Sequence, residues 1–227
     1  MFTGWKQREI VFEMWGFLAL ATAIMATLLL DGAFPVFTVL WIVIPMLVVA
    51  KTKDAGRVGF RAIPKREWIL ISAINLAGLL GILLIFETWS NTYRTLVEAA
   101  VAQSQPDTTF AWLLRFPRLP ALGGMFLYSG SVTMFGEELF FRGWLLQLLK
   151  KRWGIGRAVL SQALLFSIIN LFAVLVLTPL QGVVYILFYT WLGIGMIGGW
   201  AASRTGSIWP SLVSAAICNL VLVILLT

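Results

Sequence analysis

Long apolar runs constrain this chain more than any other feature. Met14 to Leu30, Phe37 to Ala50, Ile69 to Phe86, Val159 to Leu177, Val183 to Ala202 and Trp209 to Leu226 are each almost free of charge. A helix needs roughly 20 such residues to cross a hydrocarbon core. Backbone amides cannot be left unpaired in lipid, and no stretch alternates as barrel strands do. The expected fold is therefore all-α, a polytopic bundle of about seven transmembrane helices. Composition agrees, with 60% of 227 residues hydrophobic and 12% charged, against about half and a quarter in soluble domains. The first run follows Glu9 and Glu13 and ends at Asp31 rather than at small residues. That favours a retained first helix over a cleaved signal peptide.

Basic residues set the expected orientation. Lys6 and Arg8 precede the first run, and Lys51, Lys53, Arg57, Arg61, Lys65 and Arg66 follow the second. Lys150, Lys151, Arg152 and Arg157 follow a further helix starting near Pro120, and Arg204 precedes the last run. Threading the chain back and forth puts all of these on one side. Arg94, Arg115 and Arg118 fall on the other, and Arg142 lies inside a hydrophobic stretch. The positive-inside rule then gives a cytoplasmic N-terminus, seven crossings and an external C-terminus. The net charge of +7 needs no nucleic acid to explain it, since juxtamembrane Lys and Arg serve insertion and anionic lipids. Membrane lipids and a membrane protein or peptide are the expected partners, in a prokaryotic-type plasma or internal membrane.

Residues 1–119 read as three transmembrane helices plus an external segment, and residues 120–227 as the part that carries the motif residues. Within the external segment, Thr95 to Ala102 reads as a short amphipathic helix and Ser104 to Thr109 as a polar turn. Phe110 to Leu114 is apolar enough to lie at the interface. Histidine is absent and Cys218 is the single cysteine, so no disulfide within the chain, no metal and no cofactor are expected. The C-terminus carries no Cys-a-a-X box, so prenylation of the chain itself is not expected.

The stretch from Pro120 to Leu149 holds Glu137, Glu138 and Arg142 near its middle. A charge at the bilayer centre costs about 2.5–3.5 kcal/mol on insertion scales. Glu138 and Arg142 stand four apart and meet on one helix face as an ion pair. Glu137 is about 100° round the helix and has no comparable partner there. The plain reading is a buried pair knitting helices together, or a helix mouth at the interface. The sharper reading makes Glu137 a general base on water, because an unpaired carboxylate in a low-dielectric site holds its proton more tightly.

The run Gly136-Glu137-Glu138-Leu139-Phe140-Phe141-Arg142-Gly143 resembles the first motif of the CPBP family. That family comprises CAAX-processing proteases of the Rce1 type, bacteriocin-processing proteases and Abi-like relatives. Leu165 to Asn170 lies where the family has Phe-x-x-x-His, and Gly206-Ser207-Ile208-Trp209-Pro210 resembles the lead-in to its final His-x-x-x-Asn/Asp motif. In register that motif falls on Ala215 and Asn219. The resemblance covers about half the chain and implies an intramembrane endopeptidase. Glu137 would activate water, Glu138 and Arg142 would support it, and Asn219 would help hold the oxyanion. Asn170 stands in place of the first motif histidine and Ala215 in place of the second. Asn170 can orient a water but cannot take up a proton near neutral pH. Ala215 offers nothing polar, and Ser214 beside it points about 100° away. Three functions follow from this: a pseudoprotease that binds or escorts membrane proteins, a weakened glutamate-dependent endopeptidase, or a transporter or structural subunit of a membrane complex.

Overall fold

The computed structural model describes residues 34–95 and 134–226. The Met14–Leu30 helix, the external stretches between residues 96 and 119, and residues 120–133 lie outside the described residues. Among the described residues the regular elements are helical and no strand occurs. They are α1 (Phe34–Thr52), α2 (Lys65–Ser90), α3 (Met134–Glu137 running on through Glu138–Leu145), α4 (Leu146–Ile169), α5 (Pro179–Thr205) and α6 (Trp209–Leu226). By length and composition α2 and α5 can each cross a membrane.

Local chemistry sets the helix ends. Pro64 precedes α2, with Glu67 in its first turn, where a carboxylate complements the N-terminal dipole. Asn91 closes α2 in the left-handed conformation, which Asn tolerates better than most residues. Thr178 and Gln181 form a reciprocal capping box at the start of α5, with Pro179 in its first turn. Helix α3 continues into α4 without a break, so Lys150 to Arg152, expected to follow the helix from Pro120, sit on its helical turns. The interruption comes at Gly154, whose φ of 75° and ψ of 173° suit glycine alone. Beyond it α4 ends at Ile169, well short of the apolar run's end at Leu177.

Two segments have wider, π-type turns, Glu138–Leu145 and Tyr185–Ile197. In the first, the Leu146 amide donates to the Phe141 carbonyl five residues back. Such turns are rare and leave carbonyls free for other donors.

Two clusters make the core. Trp41 of α1 packs edge-on against Phe141 at 5.7 Å, and this group runs through Leu139, Phe140, Leu146 and Phe166 to Ile208. Leu79 and Leu83 of α2, Tyr189 of α5, and Leu212, Ala215 and Cys218 of α6 form the other. Outward side chains such as Ile69, Ile85, Leu164 and Leu187 are exposed, as lipid-facing helices require.

The link from α1 to α2 is wedged beneath α3. Asp54 caps a short 3-10 turn at Ala55–Val58, and Val58 is completely buried. Its carbonyl lies so near Gly143 that a Cβ there would come within 2.3 Å of the oxygen. Gly59, at φ 79°, accepts a hydrogen bond from the Ile208 amide at 3.0 Å. Phe60 then stacks on Phe135 and tilts against Trp209. The N-terminal half thus supplies the floor under the segment bearing Glu137 and Glu138.

Candidate functional site

The charged residues of α3 are held by four helices. Arg142 is completely buried, and its Nη1 lies 3.4 Å from Glu138 Oε1. Nη2 donates to the Ile194 carbonyl at 2.6 Å. At the end of the wide-turned segment the Gly198 amide donates to the Gly195 carbonyl, three residues back, rather than to Ile194. The guanidinium also sits 4.3 Å over the Phe166 ring of α4, a favourable cation–π arrangement in a dry site. Ser211 of α6 donates to Glu138 Oε2. The close crossing of α4 and α5 depends on Gly195, where a Cβ would meet Ala163 Cβ at 2.8 Å. This matches the plain reading of the pair: Glu138 and Arg142 tie α3 to α5 and α6.

Glu137 is arranged differently. It is half-buried and makes no hydrogen bond or ion pair with the described residues. Asn170, at the end of α4, donates from Nδ2 to the Phe166 carbonyl at 2.8 Å and accepts weakly from the Tyr185 hydroxyl at 3.4 Å. Tyr185 also lies within electrostatic reach of Glu137. The structure thus joins Asn170 to Tyr185 by a long hydrogen bond, and Glu137 adjoins Glu138 on α3.

The α6 positions are less equipped. Ala215 is 5% exposed and packed among Leu79, Leu83, Tyr189, Leu212 and Cys218. Ser214 donates to the Ser72 and Pro210 carbonyls, which leaves it no spare proton. Asn219 lies half-buried one turn beyond Ala215. Of the two adjacent carboxylates, Glu138 is committed to Arg142 and Ser211, so the pair does not form a metal cradle. An open groove of about 370 Å³ between α4 and α5, lined by Leu160, Leu164, Ser167 and Trp191 among others, holds none of these residues.

Sequence reasoning missed Ser211 and Tyr185. A lone serine four residues before Ala215 in an apolar helix was a faint signal, and Tyr185 offered none. The packing around Ala215 has a direct consequence. Ala215→His is expected to overpack this cluster and cost about 1–3 kcal/mol, seen as a lower unfolding temperature in detergent.

Residues 120–221 match the family model described as Type II CAAX prenyl endopeptidase Rce1-like. Neither a curated protein nor a solved structure matches the chain.

Proposed function

We propose that this chain, whose residues 120–221 match the Rce1-like family model, is a CAAX-protease-like membrane protein that works as a pseudoprotease. On this reading it keeps the family's membrane core but binds or escorts membrane proteins instead of cutting them. The observation that carries it is the state of Asn170 and Ala215, the two positions that the resemblance sets in place of motif histidines. Ala215 is closed into an apolar cluster, and Asn170 is held by a backbone carbonyl and Tyr185. Neither can shuttle a proton. Glu137 stays able to accept a hydrogen bond from a backbone amide of an entering segment. Asn219 and Asn170 add polar capacity on α6 and α4. Glu138 and Arg142 support the site by fixing the helices.

One observation favours a second reading, an active glutamate-dependent endopeptidase. Glu137 makes no hydrogen bond or ion pair with the described residues, which leaves its carboxylate oxygens open to a water.

The proposal includes seven crossings with the N-terminus in the cytoplasm. A reporter fused after Arg66 should then be cytoplasmic and one fused near Gln105 external. The opposite pattern would reverse the orientation. The binding role is tested with full-length protein in nanodiscs and a fluorescent prenylated Cys-a-a-X peptide, the substrate class in the family's name. Saturable binding should weaken about tenfold or more in Glu137→Ala, since hydrogen bonds to charged groups contribute about 1.5–3 kcal/mol, and the peptide should be recovered intact. Binding indifferent to Glu137 would contradict the proposal.

A further inference from the structure

Among the described residues, one end of the bundle gathers nearly all the positive charge. The Lys150 ammonium donates to the Ser203 carbonyl at 2.9 Å, the Ile208 amide to Gly59, and the Arg61 guanidinium lies against Gly206. These contacts bring the α1–α2 link, the Gly154 break and the α5–α6 turn together. Of the described Lys and Arg residues, all but Arg94 and Arg142 belong to this end, against the carboxylates Asp54 and Glu67. Asp54 is already 3.6 Å from Arg57.

The Gly154 break forms the tip. Leu149 and Ala158 are buried, whereas every residue from Lys151 to Arg157 is exposed. Trp153 is 49% exposed and Ile155 53%, between Lys151 and Arg157. On an aqueous tip these apolar side chains would be a liability, but at a bilayer interface they are favoured. The level fits. Leu160 and Leu164, the next outward residues along α4, are exposed and begin the apolar belt.

We propose that this tip is a seat for an anionic phospholipid. Lys151 and Arg157 take the phosphate oxygens, and Trp153 and Ile155 enter the interface beside the glycerol backbone. An acidic protein would match the charge but leave Trp153, Ile155 and the adjoining Leu160 unexplained. A lipid accounts for the charge and the apolar side chains together.

The test titrates purified full-length protein in maltoside micelles with phosphatidylglycerol or phosphatidylcholine, and counts bound lipid by native mass spectrometry. Phosphatidylglycerol should bind preferentially. Each juxtamembrane cation contributes about fivefold to such binding, so Lys151→Gln with Arg157→Gln should weaken it about 25-fold. Both residues are exposed, and an unchanged unfolding temperature without added lipid checks that the variant is folded. Brominated phosphatidylglycerol should quench Trp fluorescence in the unmodified protein and quench it less in Trp153→Phe. Equal binding of the two lipids, or phosphatidylglycerol binding untouched by the double substitution, would overturn the proposal. So would displacement of the lipid by polyglutamate.

Discussion

Arg142→Ala is expected to destabilise the protein by about 3–5 kcal/mol, the usual consequence of stripping one partner from a buried ion pair. Glu138 is 3% exposed and would keep only the Ser211 hydroxyl as a donor. The Ile194 carbonyl would lose its 2.6 Å donor, and Phe166 would lose the cation over its ring. Truncating so large a buried side chain also leaves a void between α3, α4 and α5. The expected result is a sharp drop in folded yield and in unfolding temperature in detergent. Replacing both members, as in Glu138→Leu with Arg142→Met, should recover much of the loss, because apolar residues of similar volume often substitute for a buried pair without penalty. If Arg142→Ala unfolds at the normal temperature, the pair does not hold the helices together.

A single methyl group at Gly143 should be nearly as disruptive. The Cβ would sit 2.3 Å from the Val58 oxygen, 3.0 Å from its carbon and 3.4 Å from an Ile208 methyl. The first two belong to backbone that is fixed by left-handed Gly59 and the bond from Ile208 to Gly59, so no flexible side chain can move aside. Gly143→Ala is expected to cost about 3 kcal/mol, the upper end of overpacking. It should also free the loop, exposing the chain beside Arg57 to trypsin. Gly81→Ala provides the contrast. Nothing lies within 4 Å of a Cβ there, and alanine favours a helix over glycine by about 0.8–1.0 kcal/mol. That variant should be at least as stable as the parent.

Hydropathy located α2, α5 and α6 because each is one uninterrupted apolar run. It misjudged the end of α4, since Leu171 to Leu177 is as apolar as the helix before it. The stop is set by Asn170 and the Thr178 cap, which hydropathy does not weigh. It also set Lys150 to Arg157 after the helix from Pro120, because charge on a helical turn does not look like helix until Gly154 is considered. The π-type turns were invisible, since hydrogen-bond register leaves no mark in side-chain polarity. In the candidate site, the Glu138–Arg142 pair was legible because its spacing is local to one helix. Ser211, Tyr185 and the Ile194 carbonyl were not, because contacts across helices are decided by how the helices cross. The wedge of Val58 under Gly143 is of the same kind: the glycine is visible in the sequence, but the carbonyl that requires it lies in a distant loop.

The central claim is that hydrolysis has been lost while Glu137 remains. Removing one oxyanion donor typically costs about 10²–10³ in rate and removing a proton-transfer group about 10²–10⁴. On the proposed reading, Ala215 and Asn170 would represent one loss of each kind. The most direct measurement incubates the purified full-length protein and its Glu137→Gln variant with a bilayer-inserted prenylated Cys-a-a-X peptide, and follows the products by mass spectrometry through a long incubation. The account predicts intact peptide and indistinguishable traces for the two proteins. Cleavage by the unmodified protein that disappears in Glu137→Gln would contradict it.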